Sequence, residues 1–263
     1  MFGAWQAGAW SALSEILPAD LVVGTSIGSL NAWLIAGGAP AEELAARWLN
    51  LGSFAKPRLR LPWPPGEGLC RSDHLLAYIK SIFERFHPVC EIGITTTELP
   101  SFRPCLHRNE EITWRHLAAA CAVLGLLPQQ RLHGRMHSDG GLFNALPAWA
   151  AWRMGADRVV AINVMPRLPA VVRMPLLALR RLKGVSGSGA AGRDVFLLNP
   201  EMPLGGWREL THWSRANTER WLAEGRQAVL DRAAALTSWL AATESSPRAT
   251  AGSGARRSPD PVR

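Results

Sequence analysis

A serine placed for nucleophilic chemistry stands near the N-terminus, in the run Gly24-Thr25-Ser26-Ile27-Gly28. This run fits the pattern G-x-S-x-G, in which the serine occupies a sharp turn between a strand and a helix. The context agrees, because Leu21-Val22-Val23 is a short apolar run typical of a buried strand and Ser29 to Ala36 has helical character. The pattern predicts a projecting Ser26 hydroxyl and an Ile27 N–H that can hold a developing oxyanion. The alternative is a glycine-rich turn in which Ser26 has only a structural role.

A serine nucleophile requires a base. The chain has seven histidines, but only His212 comes late enough for a conventional triad, and it falls at the start of a helix. Asp139 is the better candidate, since Ser138-Asp139-Gly140-Gly141 follows a predicted short hairpin and precedes a helix. Gly140 and Gly141 allow the backbone to approach a neighbouring loop closely. The alternative is an ordinary Asp-Gly turn.

Three segments of the chain follow one another in an order and spacing that is typical of a known family. They are Gly3-Ala4-Trp5-Gln6-Ala7-Gly8, then Gly24 to Ala32, and then Asp139-Gly140-Gly141. In this combination they resemble the patatin-like phospholipases. Ala118 to Pro128 and Gly155 to Asn163 look like the segments that flank the Asp-Gly-Gly motif of that family. The resemblance covers residues 3–164, and 213–229 looks like the closing helix of the family.

The resemblance implies an α/β fold of three layers, α/β/α, with a mostly parallel central sheet. It also implies a Ser-Asp dyad without a catalytic histidine. Ser26 would attack the ester carbonyl as nucleophile, and Asp139 would act as general base with a pKa raised by burial. The expected substrate is a phospholipid or another acyl ester, hydrolysed through an acyl-enzyme intermediate. No cofactor and no metal ion is expected.

The chain departs from the family pattern at its N-terminal end. The first strand and most of a loop of the form G-G-G-x-R/K-G are absent, Gly3 aligns with the last glycine of that loop, and Phe2 replaces its basic residue. That loop supplies backbone donors to the oxyanion hole, so Gly3 is the candidate donor left from it, and a gap in the sheet is expected. Three explanations of this departure stay open: a start upstream of Met1, a degraded copy, or a protein that has lost catalysis. The upstream start is favoured because Ser26 and Asp139 are intact. The alternative function is a catalytically impaired or silent membrane-binding module.

The hydrophobic pattern predicts one hydrolase domain over residues 1–244 and a disordered basic tail over 245–263. Helices are predicted over 3–17, 29–36, 41–49, 73–86, 114–123, 145–154 and 210–240, the last with a break near Gly225. Strands are predicted over 21–23, 91–97, 158–163 and 195–198, and a hairpin over 131–137. The proline-rich stretch 53–70 is predicted to be a loop and a candidate flap. The basic, apolar stretch 167–183 is interpreted as a surface excursion with a partly buried helix, and alternatively as a segment that lies on a membrane.

Composition limits the partners of the protein. The chain has 263 residues, 48% of them hydrophobic, and a formal net charge of +8, which allows a sizeable core and favours anionic partners. No nucleic-acid-binding motif accompanies this charge, so no nucleic acid is expected, and peripheral contact with a membrane is the remaining interpretation. No signal peptide is visible, and the four cysteines show no metal-ligand spacing. These features predict a cytoplasmic location.

Overall fold

The computed structural model describes residues 1–52, 58–59, 70–142, 145–165, 194–206, 208–209 and 212–242. The predicted tail, the basic stretch 167–183 and nearly all of the predicted flap lie outside the described residues. The helices are α1 (Gly3–Leu13), α2 (Ile27–Ala36), α3 (Ala41–Leu49), α4 (Asp73–Arg85), α5 (Trp114–Ala120), α6 (Ala148–Arg153), α7 (Arg215–Leu230) and α8 (Ala233–Ala241). The strands are β1 (Leu21–Thr25), β2 (Arg58–Leu59), β3 (Cys70–Arg71), β4 (Glu91–Leu99), β5 (Arg103–Arg108), β6 (Gln130–Leu132), β7 (Arg135–Asp139), β8 (Val159–Ile162) and β9 (Val195–Leu198).

The predicted elements are present, and their ends differ where a local signal was misjudged. The first helix ends at Leu13 rather than at residue 17, and the helix predicted over 114–123 ends at Ala120. The helix predicted over 145–154 begins at Ala148, because Pro147 occupies its N-cap position and has no N–H to donate. The segment predicted as one helix over 210–240 forms α7 and α8, which are separated at residues 231–232.

The predicted break near Gly225 is wrong, because this glycine lies inside α7 and serves helix packing. A Cβ atom at Gly225 would stand 2.1 Å from the carbonyl oxygen of Trp5, and one at Gly8 would stand 2.1 Å from that of Leu222. The two glycines therefore allow the backbones of α1 and α7 to touch. Trp5 and Trp221 are fully buried beside this crossing and fill the core there.

The central sheet is mixed rather than mostly parallel. β1 runs parallel to β4, in a register that pairs Leu21 with Glu91 and Thr25 with Thr95. β4 is antiparallel to both β5 and β7, and β7 is antiparallel to β6. β8 and β9 form a separate parallel pair. The antiparallel pairs arise because short turns, rather than helical crossovers, join β4 to β5 and β6 to β7.

β1 and β8 each have one edge without a strand partner in the described part of the chain. The N–H of Glu91 donates to the carbonyl oxygen of Asp20. Because alternate residues of a strand bond to opposite sides, the N–H and C=O groups of Leu21 and Val23 point away from β4. On β8 the N–H of Val159 donates to the carbonyl oxygen of Asp194, which directly precedes β9. The N–H and C=O groups of Val160 and Ile162 therefore point to the edge of β8 that faces away from β9. Residues of both strands line one cavity of about 2000 Å³. No helix in the described part of the chain is long and apolar enough to cross a membrane.

Candidate active site

Ser26 occupies the turn that joins β1 to α2, as the sequence predicts. Its backbone has φ +51° and ψ −136°, a conformation that a residue with a side chain rarely adopts. The turn is tight because α2 folds back over β1: a Cβ atom at Gly24 would stand 2.5 Å from the Cα of Ser29. At Gly28 a Cβ atom would stand 3.3 Å from the side-chain nitrogen of Gln6. Gly24 is thus needed for close approach, Gly28 sits tightly against Gln6, and the strained conformation of Ser26 is of a kind common at functional sites.

The strained turn is held from behind by hydrogen bonds to the carbonyl oxygen of Ser26. The N–H of Ser29 donates to it at 2.9 Å, and the hydroxyl of the same residue donates at 2.6 Å. The Cys121 thiol donates to it as well, at 3.3 Å. Complete burial raises the pKa of Cys121 to about 12, so the thiol keeps the proton that it donates. The sequence gives no signal for this contact, because the two residues are far apart in the chain.

Asp139 meets Ser26 directly. The Ser26 hydroxyl donates a hydrogen bond to Asp139 Oδ2 at 2.5 Å. Asp139 is the last residue of β7, where its N–H donates to Ala122 and its carbonyl accepts from the Thr97 hydroxyl. Its other carboxylate oxygen accepts from the N–H of Gly141 at 2.7 Å. The two sequence-predicted residues are therefore side by side, with the carboxylate held by two hydrogen bonds and the Asp139 backbone by two more.

Burial controls the acidity of Asp139. The side chain is only 5% exposed, and burial raises its pKa from 3.8 to about 6. The hydrogen bonds from Ser26 and Gly141 act in the opposite direction and limit the rise. A carboxylate with a pKa near 6 is ionised at neutral pH and is a stronger base than an ordinary aspartate.

The glycines after Asp139 make room for the neighbouring strands. A Cβ atom at Gly140 would stand 2.3 Å from the carbonyl oxygen of Thr95 and 2.6 Å from the hydroxyl of Thr25. One at Gly141 would stand 3.0 Å from Asp139 Oδ1. Only glycine fits at residue 140 without moving backbone, so the Asp-Gly-Gly run is more than a generic turn.

The two residues predicted to donate to an oxyanion are each the first residue of a helix. Ile27 is the first residue of α2, and Gly3 is the first residue of α1. First-turn N–H groups have no carbonyl partner within their own helix and carry partial positive charge. The two positions are close, since a Cβ atom at Gly3 would stand 3.1 Å from a side-chain carbon of Ile27. The start of α1 thus packs against the nucleophile turn.

Asn31 ties these two helices together. Its side-chain nitrogen donates to the carbonyl oxygen of Gly3 at 2.9 Å and to the side-chain oxygen of Gln6 at 3.0 Å. Its side-chain oxygen accepts from the indole N–H of Trp48 at 3.0 Å. Asn31 is 4% exposed, so these bonds lie in the core. Sequence analysis quoted Asn31 in the family motif but gave it no role, because a single asparagine in an apolar helix carries no pattern.

Three buried histidines gather around Thr96 instead of around Ser26. The Thr96 hydroxyl bonds with His107 Nε2 and with His137 Nδ1, each at 2.9 Å. The ring of His116 lies 4.4 Å from that of His107. Burial lowers the pKa of His107 to about 3 and that of His116 to about 4, and it also lowers the pKa of His137. These rings are neutral members of the core at physiological pH.

The dyad opens into the cavity that separates the two parts of the sheet. Ser26, Asp139 and Gly141 line it, together with many aliphatic residues of α1, β1 and β8. A cavity of about 2000 Å³ exceeds the usual range for small-ligand sites. Among the described residues no group of three or more His, Cys, Asp or Glu side chains is arranged to hold a metal ion.

Comparison with known protein families decides the classification. The family model described as "Patatin-like phospholipase" matches residues 1–152, which is more than half of the chain. The chain belongs to the patatin-like phospholipase family. The match includes both Ser26 and Asp139.

Curated relatives in this family are much longer than the chain. It is 32% identical to mouse patatin-like phospholipase domain-containing protein 6 over 169 residues, covering 60% of this chain and 12% of the relative. It is 30% identical to rat patatin-like phospholipase domain-containing protein 7, covering 63% of this chain and 13% of the relative. It is 29% identical to lysophospholipase nte1 of Aspergillus terreus, covering 62% and 11% respectively. The chain thus spans about an eighth of the length of these relatives.

Among solved structures, VipD from Legionella pneumophila aligns with a TM-score of 0.48 and 12% sequence identity. The alignment covers 88% of this chain and 64% of VipD. Membership of the patatin-like phospholipase family rests on the sequence match and not on this alignment.

Proposed function

We propose that this protein is a lipid acyl hydrolase in which Ser26 and Asp139 form the catalytic dyad. The observation that carries the proposal is the 2.5 Å hydrogen bond from the Ser26 hydroxyl to Asp139 inside a mostly apolar cavity. Family membership supports the same class of reaction, since the relatives carry the names phospholipase and lysophospholipase.

Acylation begins when the Asp139 carboxylate takes the proton of the Ser26 hydroxyl as Oγ attacks the ester carbonyl. The N–H of Ile27, with the positive end of α2, stabilises the negative charge that develops on the carbonyl oxygen. Gly3 contributes a second first-turn N–H from α1. The tetrahedral intermediate collapses with loss of the alcohol portion of the lipid, which leaves with the proton held by Asp139.

Deacylation uses the same two residues. Asp139 takes a proton from a water molecule, whose oxygen attacks the acyl carbonyl on Ser26. When the second intermediate collapses, Ser26 Oγ regains the proton and the fatty acid leaves. The elevated pKa of Asp139 matches this role, because a base must accept and release a proton twice in each cycle.

The cavity favours a substrate with a long acyl chain. Each methylene that moves from water into apolar surroundings contributes about 0.8 kcal/mol. Aliphatic residues such as Leu13, Ile16 and Val23 line the same cavity as the dyad. Esters with longer acyl chains should therefore bind more tightly than short ones.

The direct test is hydrolysis of phospholipid and of p-nitrophenyl esters, followed by fatty acid release. The proposal expects turnover by the parent chain, reduction to background in Ser26→Ala, and a loss of about 10²- to 10⁴-fold in Asp139→Asn. Ser81→Ala is a control, because it removes an exposed hydroxyl on α4 that donates to the carbonyl oxygen of Tyr78 and does not line the cavity. Absence of turnover in a folded parent chain would instead favour the silent membrane-binding module.

A further inference from the structure

Five large apolar side chains are well exposed in the described part of the chain, and they are not scattered evenly. They are Val89, Val123, Leu124, Met202 and Leu230. Val123, Leu124 and Met202 line the cavity that contains Ser26, whereas Val89 and Leu230 do not. A side chain that is exposed and also lines a cavity stands at its opening. We call these three residues the apolar rim.

Val123 and Leu124 are fixed next to the dyad. They follow Ala122, whose carbonyl oxygen accepts from the N–H of Asp139 at 3.0 Å and from the Ser138 hydroxyl at 2.9 Å. The chain then turns at Gly125, which has φ +77°. The exposed fractions of Val123 and Leu124 are 39% and 42%. The loop therefore has a rigid attachment to the site and an apolar surface toward solvent.

Met202 reaches the opening from the other part of the sheet. It lies in the segment that follows β9, and it is 75% exposed. This segment is anchored two residues later, where the indole N–H of the buried Trp221 donates to the carbonyl oxygen of Leu204 at 3.0 Å. Met202 therefore presents most of its surface to solvent from an anchored loop.

We propose that the apolar rim docks the protein on a phospholipid membrane, so that an acyl chain passes from the lipid layer into the cavity without crossing water. This inference rests on the proposed function, because it names the surface from which the substrate is taken. The rim is continuous with an apolar cavity that holds a nucleophile, which fits a lipid layer better than a protein partner. The net charge of +8 adds attraction to anionic headgroups.

The chain contains a matched control for this proposal in Val89. This residue is 81% exposed and precedes β4, whereas Ser26 follows β1. Because β1 and β4 are parallel, Val89 lies at the opposite end of the sheet from the nucleophile. Val89→Asp makes the same change of charge as Leu124→Asp and Met202→Asp, at a surface that should not meet lipid.

The experiment compares these three variants in co-sedimentation with vesicles of phosphatidylcholine and phosphatidylglycerol in equal parts. It also measures hydrolysis of lipid in those vesicles and of the soluble ester p-nitrophenyl butyrate. We expect Leu124→Asp and Met202→Asp each to weaken vesicle binding about tenfold or more. The ratio of vesicle activity to soluble-ester activity should fall by a similar factor, while both quantities stay at the parental level in Val89→Asp.

Failure of the parent chain to bind vesicles would overturn the docking proposal, and so would equal binding by all three variants. Co-sedimentation does not depend on catalysis, so it decides the docking surface even in a chain without turnover. If the parent chain does not hydrolyse the soluble ester but binds vesicles in a way that depends on the apolar rim, the proposed function is rejected and the docking surface is retained.

Discussion

The thiol of Cys121 lies 3.3 Å from the carbonyl oxygen of Ser26, directly behind the residue that carries the nucleophile. Ser26 has a positive φ, and its carbonyl oxygen also accepts from the hydroxyl of Ser29. A residue on α2 and a residue at the end of α5 together hold the turn in its strained form. The nucleophile is therefore positioned by contacts that do not touch substrate.

Cys121→Ala should weaken this support. Removal of one buried hydrogen-bond donor and one sulfur atom is expected to lower the free energy of unfolding by about 1–2 kcal/mol and to reduce kcat more than it raises KM. Urea denaturation and steady-state kinetics on a soluble ester measure the two effects. Cys90→Ala is the control, because the partly buried Cys90 thiol donates to the carbonyl oxygen of Glu91 at the start of β4 rather than to the nucleophile turn. Equal kinetics in the two variants would show that the thiol has no positioning role.

The activity should depend on the ionisation of Asp139. The base must be ionised, and its pKa is about 6, so kcat/KM should be half-maximal near pH 6 and fall tenfold for each further pH unit. A pH profile on p-nitrophenyl butyrate measures this limb. A midpoint near 4 would indicate a solvated carboxylate and would contradict the burial of Asp139.

The same pKa has a consequence for stability. The folded-state pKa of Asp139 lies above its ordinary value of 3.8, so the folded protein binds the proton of this carboxyl more tightly than the unfolded chain does. The resulting stabilisation is fully present below pH 3.8 and is lost as the pH rises through about 6. Asp139→Asn removes the buried charge, and its amide oxygen can accept from the N–H of Gly141 while its NH2 group donates to the Ser26 hydroxyl. This variant should lack activity yet have a higher free energy of unfolding at pH 8, by on the order of 2 kcal/mol. Denaturation at pH 8 and at pH 4 checks the sign, since the gain should disappear at the lower pH.

Gly140→Ala should destabilise the protein and abolish activity. Its Cβ atom would stand 2.3 Å from a backbone carbonyl oxygen of β4, so backbone must shift, at a cost of about 1–3 kcal/mol. The shift would move Asp139 away from Ser26. Gly206→Ala is the matched control for stability, because its nearest neighbour is a Glu209 side-chain atom at 3.5 Å. A fall in melting temperature confined to Gly140→Ala is the expected result, and equal melting temperatures would show that the approach at residue 140 is not tight.

The histidine cluster predicts sensitivity to acid. The folded-state pKa values of His107 and His116 are about 3 and 4, below the ordinary value of 6.5. Between pH 6.5 and 4 the unfolded chain therefore binds more protons at these two residues than the folded chain does. The free energy of unfolding should fall as the pH decreases from 6.5 towards 4. His107→Gln should reduce that slope, whereas the exposed His87→Gln should leave it unchanged. An identical slope in both variants would mean that these rings accept protons in the core.

Much of this site could be predicted because its signals are local. The turn at Ser26 has glycines two residues before and two residues after it. The Asp-Gly-Gly run indicates a position, Gly140, where a side chain would meet the neighbouring backbone. Such requirements are visible in a single sequence, since they depend on a few neighbouring residues. The order of strand, turn and helix around Ser26 follows for the same reason.

Long-range relationships left no comparable signal. Cys121 and Asn31 act through single hydrogen bonds to distant backbone, and neither residue type nor spacing marks such contacts. β5 was not predicted as a strand, because Arg103, Pro104 and Arg108 give it no alternating apolar pattern. The expectation of a mostly parallel sheet came from the family resemblance, and it did not include the antiparallel pairing of β4 with β5 and β7. The family pattern led us to expect a gap in the sheet, and in the described part of the chain β1 and β8 each leave one edge unpaired and line one cavity.

Covalent labelling tests the central claim most directly. A fluorophosphonate probe reacts with a serine that is activated by a base, and intact mass together with peptide mapping locates the adduct. The account predicts one adduct, on Ser26, with none in Ser26→Ala and labelling at least a hundredfold slower in Asp139→Asn. An adduct on another residue, or an unchanged labelling rate in Asp139→Asn, would contradict the assignment of Ser26 and Asp139 as the catalytic dyad.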